Sequence, residues 1–494
     1  MSYSYSLLAR ALLPEMMLVA GALLALTYDL ILGRRHTLGE RRSAALWIGA
    51  TALVAALYDS VSIGVLGPVY GHTLRLDQLA LATRVGVLGL ALLTLGVAAG
   101  VKATRHPAEY VAIILFATTG FTLMAAAQHL LVAFVALELA SLSLYVLAGF
   151  DKDRRESAEA ALKYFLFGGM ATAFLLFGFS LIYGATGELD LTRIALVLGH
   201  NKMTLLLALA LVMVLVAFGF KAAAAPFHLW APDAYEGAPT PSAALIASAS
   251  KLAGFTLFLR LLWPGLGALA GDISTAGNTG GWLTLVALLA GASLLLGNLA
   301  ALAQSNIRRL LAYSAIAHTG AMLLGVIAAQ IAGAGPLFYY VATYGVATAG
   351  AFGVIAVLET NGGGQKITDL AGLSRRSPLL AGCLAVFILS LAGIPPLAGF
   401  FGKFAVFAAA LKVGGVAGPA GWLTMLAIAL SAVALYYYLV VLKQALVAAP
   451  APANSGRIRV PAAAAFTLVV AAALIVVLGL FPSLLLNFFE LRPV

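Results

Sequence analysis

Apolar runs of about twenty residues recur along the whole of this chain, and about twenty is what a helix needs to cross a bilayer core roughly 30 Å thick. On that ruler about fourteen spans follow one another. They lie near Leu12–Leu32, Ala44–Leu66, Gln78–Gly100, Pro107–Ala127, His129–Phe150, Ala158–Gly184 and Thr204–Ala225, then Thr240–Trp263, Trp282–Ala303, Arg308–Gln330, Pro336–Leu358, Leu379–Ala410, Trp422–Lys443 and Pro461–Leu486. Composition agrees: 62% of the 494 residues are hydrophobic and 10% charged, where soluble domains carry about 25% charged residues. Runs this long predict helices rather than barrel strands, so the expected fold is an all-α polytopic membrane protein.

The net charge of +10 does not indicate a nucleic-acid partner, because the cations sit in short loops and not in one patch. Their alternation encodes topology. One set of loops holds Arg34, Arg35, Arg41, Arg42, Lys102, Arg105, Lys152, Arg154, Arg155, Arg308, Arg309, Lys366, Arg375, Arg376, Lys443, Arg457 and Arg459. The opposite set holds only Arg10, Arg75, Arg193, Lys202, Arg260, Lys412 and Arg492. The positive-inside rule puts the first set in the cytoplasm and both termini outside; in a bacterium this means a multi-pass protein of the inner membrane with periplasmic termini. The first apolar run lacks a small-residue cleavage site and reads as a retained span. The lone Cys383 excludes an internal disulfide or a four-thiolate iron–sulfur cluster. No phosphate-binding loop, dinucleotide fingerprint or zinc spacing occurs, so no cofactor or metal is expected in this chain.

Five basic residues fall inside spans: Arg84, Lys163, Lys221, Lys251 and Lys403. Glu138 joins them. A charge at the centre of a spanning helix costs roughly 2.5–3.5 kcal/mol and is by default a functional group. Between Lys221 and Lys251 the chain carries Pro226, Pro232, Pro239 and Pro241, and irregular backbone survives at membrane depth only in protein or beside a wet cavity. That combination suggests an ion path. At 1.5 Å per residue, Glu138, Lys251 and His318 lie roughly 15 Å deep, near the midplane.

A second proline break, Pro395 and Pro396 followed by Gly399 and Gly402, precedes Lys403. The breaks are five spans apart, so their segments run in opposite directions, as in inverted repeats with sites on discontinuous helices. The expected organisation is a three-helix segment (1–106), a first five-helix repeat (107–263), a second, inverted repeat (264–446) and a C-terminal helix (447–494).

Three segments, FKAAAAPFHLWAPDAYEGAPTPSAALIASASKLAGF (220–255), NIRRLLAYSAIAHTG (306–320) and LAGIPPLAGFFGKF (391–404), resemble the antiporter-like membrane subunits of respiratory complex I. The branch they resemble most is subunit N of bacterial NADH-quinone oxidoreductases. A lysine at position 403 fits that branch, since subunits L and M carry an acid there, and the chain ends without subunit L's lateral helix. The resemblance implies a proton path through Glu138, Lys221, Lys251 and Lys403, with Lys163 modulating Glu138. It also implies that NADH, FMN, iron–sulfur clusters and quinone belong to other subunits. Its expected neighbours are subunit M, small membrane subunits and the lateral helix of subunit L.

Plainer readings stand beside these. Burial favours a neutral amine and a nearby carboxylate an ammonium, so Glu138 and Lys221 form either a switching pair or a static ion pair. Lys251, Lys163 and Arg84 could instead snorkel to headgroups, Arg84 most readily because it is shallow. His228 is either a proton carrier or a cap for the broken backbone, and His318 either a relay or a neutral core histidine bonded to a serine or threonine. Asp233 and Glu236 either attract protons at an entrance or cap a solvated turn. Lys403 is an outward exit or a link to a neighbouring subunit, and Arg308 and Arg309 read as topology anchors. The alternative assemblies are a cation/proton antiporter and a membrane-bound hydrogenase-type complex. A structural spacer, the third reading, predicts that Lys221→Ala or Lys251→Ala harms assembly at least as much as transport.

Overall fold

The computed structural model describes residues 4–101, 104–200, 203–273, 280–450 and 456–487. Lys102, Lys202 and Arg492, counted above among the loop cations, lie outside them. Among the described residues, thirteen helices are long and apolar enough to cross a membrane. The first seven are Leu13–Ile31, Leu38–Ile63, Gln78–Ala99, Pro107–Ala126, Leu130–Ala148, Arg155–Thr186 and Leu205–Ala222. Then come Thr240–Gly265, Trp282–Leu302, Ile307–Ala332, Gly335–Thr360, Pro419–Leu446 and Ala462–Leu480. Between Gly335–Thr360 and Pro419–Leu446 lies a span split into Pro378–Ala392 and Ala398–Leu411, which makes it the twelfth of fourteen.

Helix starts are written in polar caps. Asp77 accepts from the Ala80 amide (2.9 Å) at the third span, Thr204 from Leu207 (3.3 Å) at the seventh, and Asn306 from Arg308 (2.8 Å) and Arg309 (3.3 Å) at the tenth. Each satisfies an amide the helix leaves orphaned. The second span begins at Leu38, earlier than the Ala44 expected from hydropathy, because Thr37 and Glu40 form a reciprocal capping box that extends the helix past its apolar part. One small departure from an all-helical fold is a hairpin before the third span, pairing Gly67–Val69 with Leu74–Leu76. Hydropathy carries no signal for strands so short.

Both proline breaks divide a helix in the same way. The seventh span stops at Ala222 and resumes as Trp230–Gly237; the twelfth stops at Ala392 and resumes at Ala398. Each first half closes through a left-handed residue, Ala223 (φ 57°) or Gly393 (φ 88°). The amides of Ala224 and Ile394 bond the carbonyls of Gly219 (2.7 Å) and Leu389 (3.0 Å), and those of Ala223 and Gly393 bond Phe220 (2.9 Å) and Ser390 (3.0 Å). These are the crossed bonds of a Schellman end. Gly393 has a second reason to lack a side chain, since a Cβ there would lie 3.1 Å from Lys403 Cδ.

The eighth span lies at the centre, with its most apolar window entirely buried in protein, and the tenth and eleventh are nearly as enclosed. Trp47, Trp422 and Phe466 on the outer spans are exposed, as a lipid-facing surface requires.

Arg84 departs from the snorkelling expected of it. It is 2% exposed, bonds the Ala11 carbonyl at 3.2 Å and lies 2.8 Å from the equally buried Glu15 carboxylate. The partner sits on another span, so depth along its own helix could not reveal it. Arg84→Met alone is expected to cost about 3–5 kcal/mol by leaving Glu15 unpaired, and Arg84→Met with Glu15→Leu much less. The yield of assembled subunit on native gels checks both; equal yields would sink the pairing argument.

Candidate functional site

Lys221, Lys251, His318 and Lys403 come from four spans and are 5%, 3%, 5% and 8% exposed. None reaches a headgroup, so snorkelling is excluded for Lys251, and hydrogen bonds between the spans account for each position. Lys221 sits in the last turn of its half-helix and donates to Ser141 Oγ at 3.1 Å. Its stem packs on the eighth span, where a Cβ at Gly254 would be 3.4 Å from Lys221 Cγ. Ser141 is one turn from Glu138 on the fifth span. Glu138 is half-buried and accepts from Thr172 at 2.6 Å. Among the described residues no cation lies within 4.0 Å of its carboxylate, so Glu138 and Lys221 form no direct ion pair; each bonds a different hydroxyl.

The carbonyl of Ala222, freed where the seventh span breaks, accepts from Thr319 Oγ1 at 2.7 Å. Thr319 Oγ1 in turn accepts from Lys251 Nζ at 2.7 Å, and Lys251 also donates to the Ala315 carbonyl at 2.6 Å. One hydroxyl therefore couples the Lys251 ammonium to the end of the Lys221 half-helix. At the matching break, the Ala392 carbonyl accepts directly from Lys403 Nζ at 3.0 Å. Both lysines thereby meet the negative end of a half-helix dipole.

His318 bridges these halves. Its Nδ1 is 2.6 Å from the Tyr340 hydroxyl and its Nε2 is 3.1 Å from that of Tyr438, which also bonds Ser314. The expected serine or threonine partner is thus replaced by two tyrosines. A cavity of about 20 Å³ touches His318, Tyr340, Lys403, Tyr437 and Asn298, room for about one water between histidine and lysine.

The remaining candidates gather at the lysine- and arginine-rich end. Lys163 bonds Asp233 (2.6 Å) and Glu159 (2.7 Å), and Arg309 bonds Asp233 (2.8 Å) and Glu236 (2.7 Å). Asn306 adds a bond to Glu236 at 2.9 Å. The acids are therefore paired, not capping a solvated turn, and Lys163 contacts Asp233 and Glu159 and not Glu138. Trp230 stacks on Tyr164 with ring centroids 4.2 Å apart, so charge pairs and aromatic packing together clamp the second half-helix to its neighbours. Arg308, read from sequence as a topology anchor, is buried beneath this network and bonds Tyr235 O (2.8 Å), Ala238 O and Glu359. His228 stands at the break with Nδ1 buried and its ring bonded to the Pro226 backbone, the contact that its capping reading expects.

Sequence reasoning missed Ser141, Thr319, Tyr340 and Tyr438. The only signal for Thr319 was its place beside His318, and hydroxyls are too common in apolar helices to stand out. Among the described residues no group of His, Cys, Asp and Glu could hold a metal ion.

Comparison with known proteins places the chain in a family. Residues 127–433 match the family described as NADH:quinone oxidoreductase/Mrp antiporter, transmembrane. NADH-quinone oxidoreductase subunit N 2 of Acidobacterium capsulatum is 47% identical, over 98% of this chain and 99% of its own. A chain of respiratory complex I from Thermus thermophilus with bound aureothin superposes with a TM-score of 0.77 at 33% identity, covering 96% of this chain and 98% of that one. A chain of the Mrp complex from Dietzia sp. DQ12-45-1b shares the fold (TM-score 0.79) at 23% identity, over 96% of this chain and 95% of that one. With a whole-length relative at 47% identity and the family's match spanning both broken helices, the chain belongs to the subunit N family of NADH-quinone oxidoreductases.

Proposed function

We propose that this chain is a proton-translocating subunit in the membrane arm of an NADH:quinone oxidoreductase, moving protons from cytoplasm to periplasm. Electron transfer from NADH to quinone, through FMN and iron–sulfur clusters, runs in other subunits. The observation that carries the reading is the hydrogen-bonded seam at the breaks, where Thr319 joins Lys251 to the Ala222 carbonyl and Lys403 caps that of Ala392. Lys221, Lys251 and Lys403 hold and release the proton, His318 relays it between the last two, and Glu138 sets the charge facing Lys221. Lys163, Asp233 and Glu236 act at one remove, by fixing the second half-helix of the seventh span, and His228 is an inner acceptor beside it.

Matching half-helix ends at Ala223 and Gly393 support the two inverted repeats, 107–263 and 264–446, between the segments 1–106 and 447–494. The positive-inside asymmetry supports the bacterial inner membrane with both termini periplasmic. Neighbours on this reading are subunit M, the small membrane subunits and the lateral helix of subunit L. The fold shared with the Mrp complex also suits a cation/proton antiporter or hydrogenase-type assembly; co-purification of flavin and iron–sulfur subunits excludes it.

Lys221→Ala tests the reading. The expected result is a fully assembled complex on native gels that has lost most NADH-driven quinone reduction and proton pumping. Normal pumping by that assembled complex sinks the role of Lys221, and loss of assembly with proportionate loss of pumping favours a spacer.

A further inference from the structure

We propose that Ser293 of the ninth span is a positioning residue for proton transfer: it fixes the broken end of the seventh span, and so keeps the Ala222 carbonyl in reach of the Thr319 hydroxyl that Lys251 bonds. The proposal rests on the reading of Lys251 as a proton carrier.

The break leaves one backbone donor over. The Ala223 and Ala224 amides are consumed by the Schellman end, on Phe220 O (2.9 Å) and Gly219 O (2.7 Å), and Pro226 has no amide proton. Ala225 is fully buried, and a buried N–H must find an acceptor. It donates to Ser293 Oγ at 2.9 Å. Ser293 is also fully buried, and its own proton goes to the Leu289 carbonyl one turn back, at 2.6 Å. With that proton committed to its own helix, the oxygen turns a lone pair to the linker.

Ser293 and Thr319 are carried by one tight helix pair. A Cβ at Gly297 would lie 2.4 Å from Ala317 N, and one at Gly320 would lie 2.7 Å from Ala290 O. The ninth and tenth spans therefore touch backbone to backbone on either side of Ser293, an approach that small residues allow in membrane helices. This pair grips the break twice, at the Ala225 amide through Ser293 and at the Ala222 carbonyl through Thr319 (2.7 Å). Thr319 has one proton and two acceptors for it, since the Ala315 carbonyl of its own helix lies 3.0 Å away. If the linker drifts, the hydroxyl turns back to Ala315 and the link from Lys251 to the half-helix is lost. Ser293 holds the linker and so decides that choice. At the second break the matching bond, from the Gly399 amide to Ser390 Oγ at 3.1 Å, stays within the twelfth span.

A double-mutant cycle tests this role. Ser293→Ala is expected to assemble normally on native gels and to lower NADH-driven quinone reduction and pumping per assembled complex roughly fivefold, the worth of one neutral hydrogen bond. Thr319→Val keeps the volume and leaves Lys251 the Ala315 carbonyl. It is expected to lower both roughly tenfold, since a hydrogen bond to a charged group is the stronger kind. If Ser293 acts through Thr319, the double variant matches Thr319→Val to within about twofold. A further loss of about fivefold in the double variant overturns the proposal, and so does normal turnover of assembled Ser293→Ala. A merely structural serine predicts less assembled complex with turnover per complex unchanged. Should the alanine variant not assemble, Ser293→Cys, similar in size with a weak acceptor, goes through the same cycle; failure of both to assemble also overturns the proposal. Lys251→Met in the same membranes separates the two claims. If it is inactive while Ser293→Ala turns over normally, only the positioning role fails; if it pumps normally, the carrier reading fails with it.

Discussion

Replacing Lys251 with methionine is expected to lower NADH-driven quinone reduction and proton pumping together by on the order of a hundredfold, in a complex that still assembles. Methionine matches the length of the stem and fills the same space without a charge or an exchangeable proton. What it leaves behind is tolerable. Thr319 Oγ1 still has the carbonyls of Ala222 (2.7 Å) and Ala315 (3.0 Å) as acceptors, so no donor is orphaned, and the uncharged helix is cheaper to bury. Assembly and chemistry should therefore separate at this position. Proton uptake by inverted membrane vesicles, scaled to the complex detected on native gels, is the measurement; pumping within twofold of the parent protein would return Lys251 to a structural role.

Much of this architecture is legible in the sequence because hydropathy measures one coordinate well, depth along the membrane normal. Counting from helix ends placed Glu138, Lys251 and His318 at one level, and proline placed both breaks. The lateral coordinate is invisible to that reading. Thr319 finds its acceptor 97 residues away at Ala222, and His318 finds Tyr438 across 120 residues, distances over which no periodicity speaks. The errors have the same origin. Arg84 looked shallow enough to reach lipid headgroups, yet Glu15 on another span holds it inside. Glu138 and Lys221 looked like natural partners by charge, but helix placement gives each a hydroxyl, Thr172 and Ser141. Separate hydroxyl partners keep both groups out of a tight buried ion pair, which would hold its proton in place.

Arg308→Ala is expected to act in the opposite way, on the fold and not on the chemistry. The guanidinium is 1% exposed and closes three separate accounts of unsatisfied acceptors: the carbonyls of Tyr235 and Ala238 at the end of the second half-helix, and the Glu359 carboxylate. A cation at a helix C-terminus is favourable in itself, and here it also ties that end to the tenth and eleventh spans. Truncation leaves two carbonyls without this donor and the Glu359 carboxylate without its buried counter-charge, with Thr240 as its remaining donor, a loss of about 3–5 kcal/mol against a total stability of about 5–15 kcal/mol. Assembled complex should therefore fall severely on native gels, with residual activity proportional to what assembles. Arg308→Lys, which keeps the charge but not the planar fork, should fall between. Undiminished assembly of the alanine variant would return Arg308 to the role of a topology anchor. Proportionality separates this position from Lys251, because activity per assembled complex stays constant when a clamp is lost and collapses when a proton carrier is.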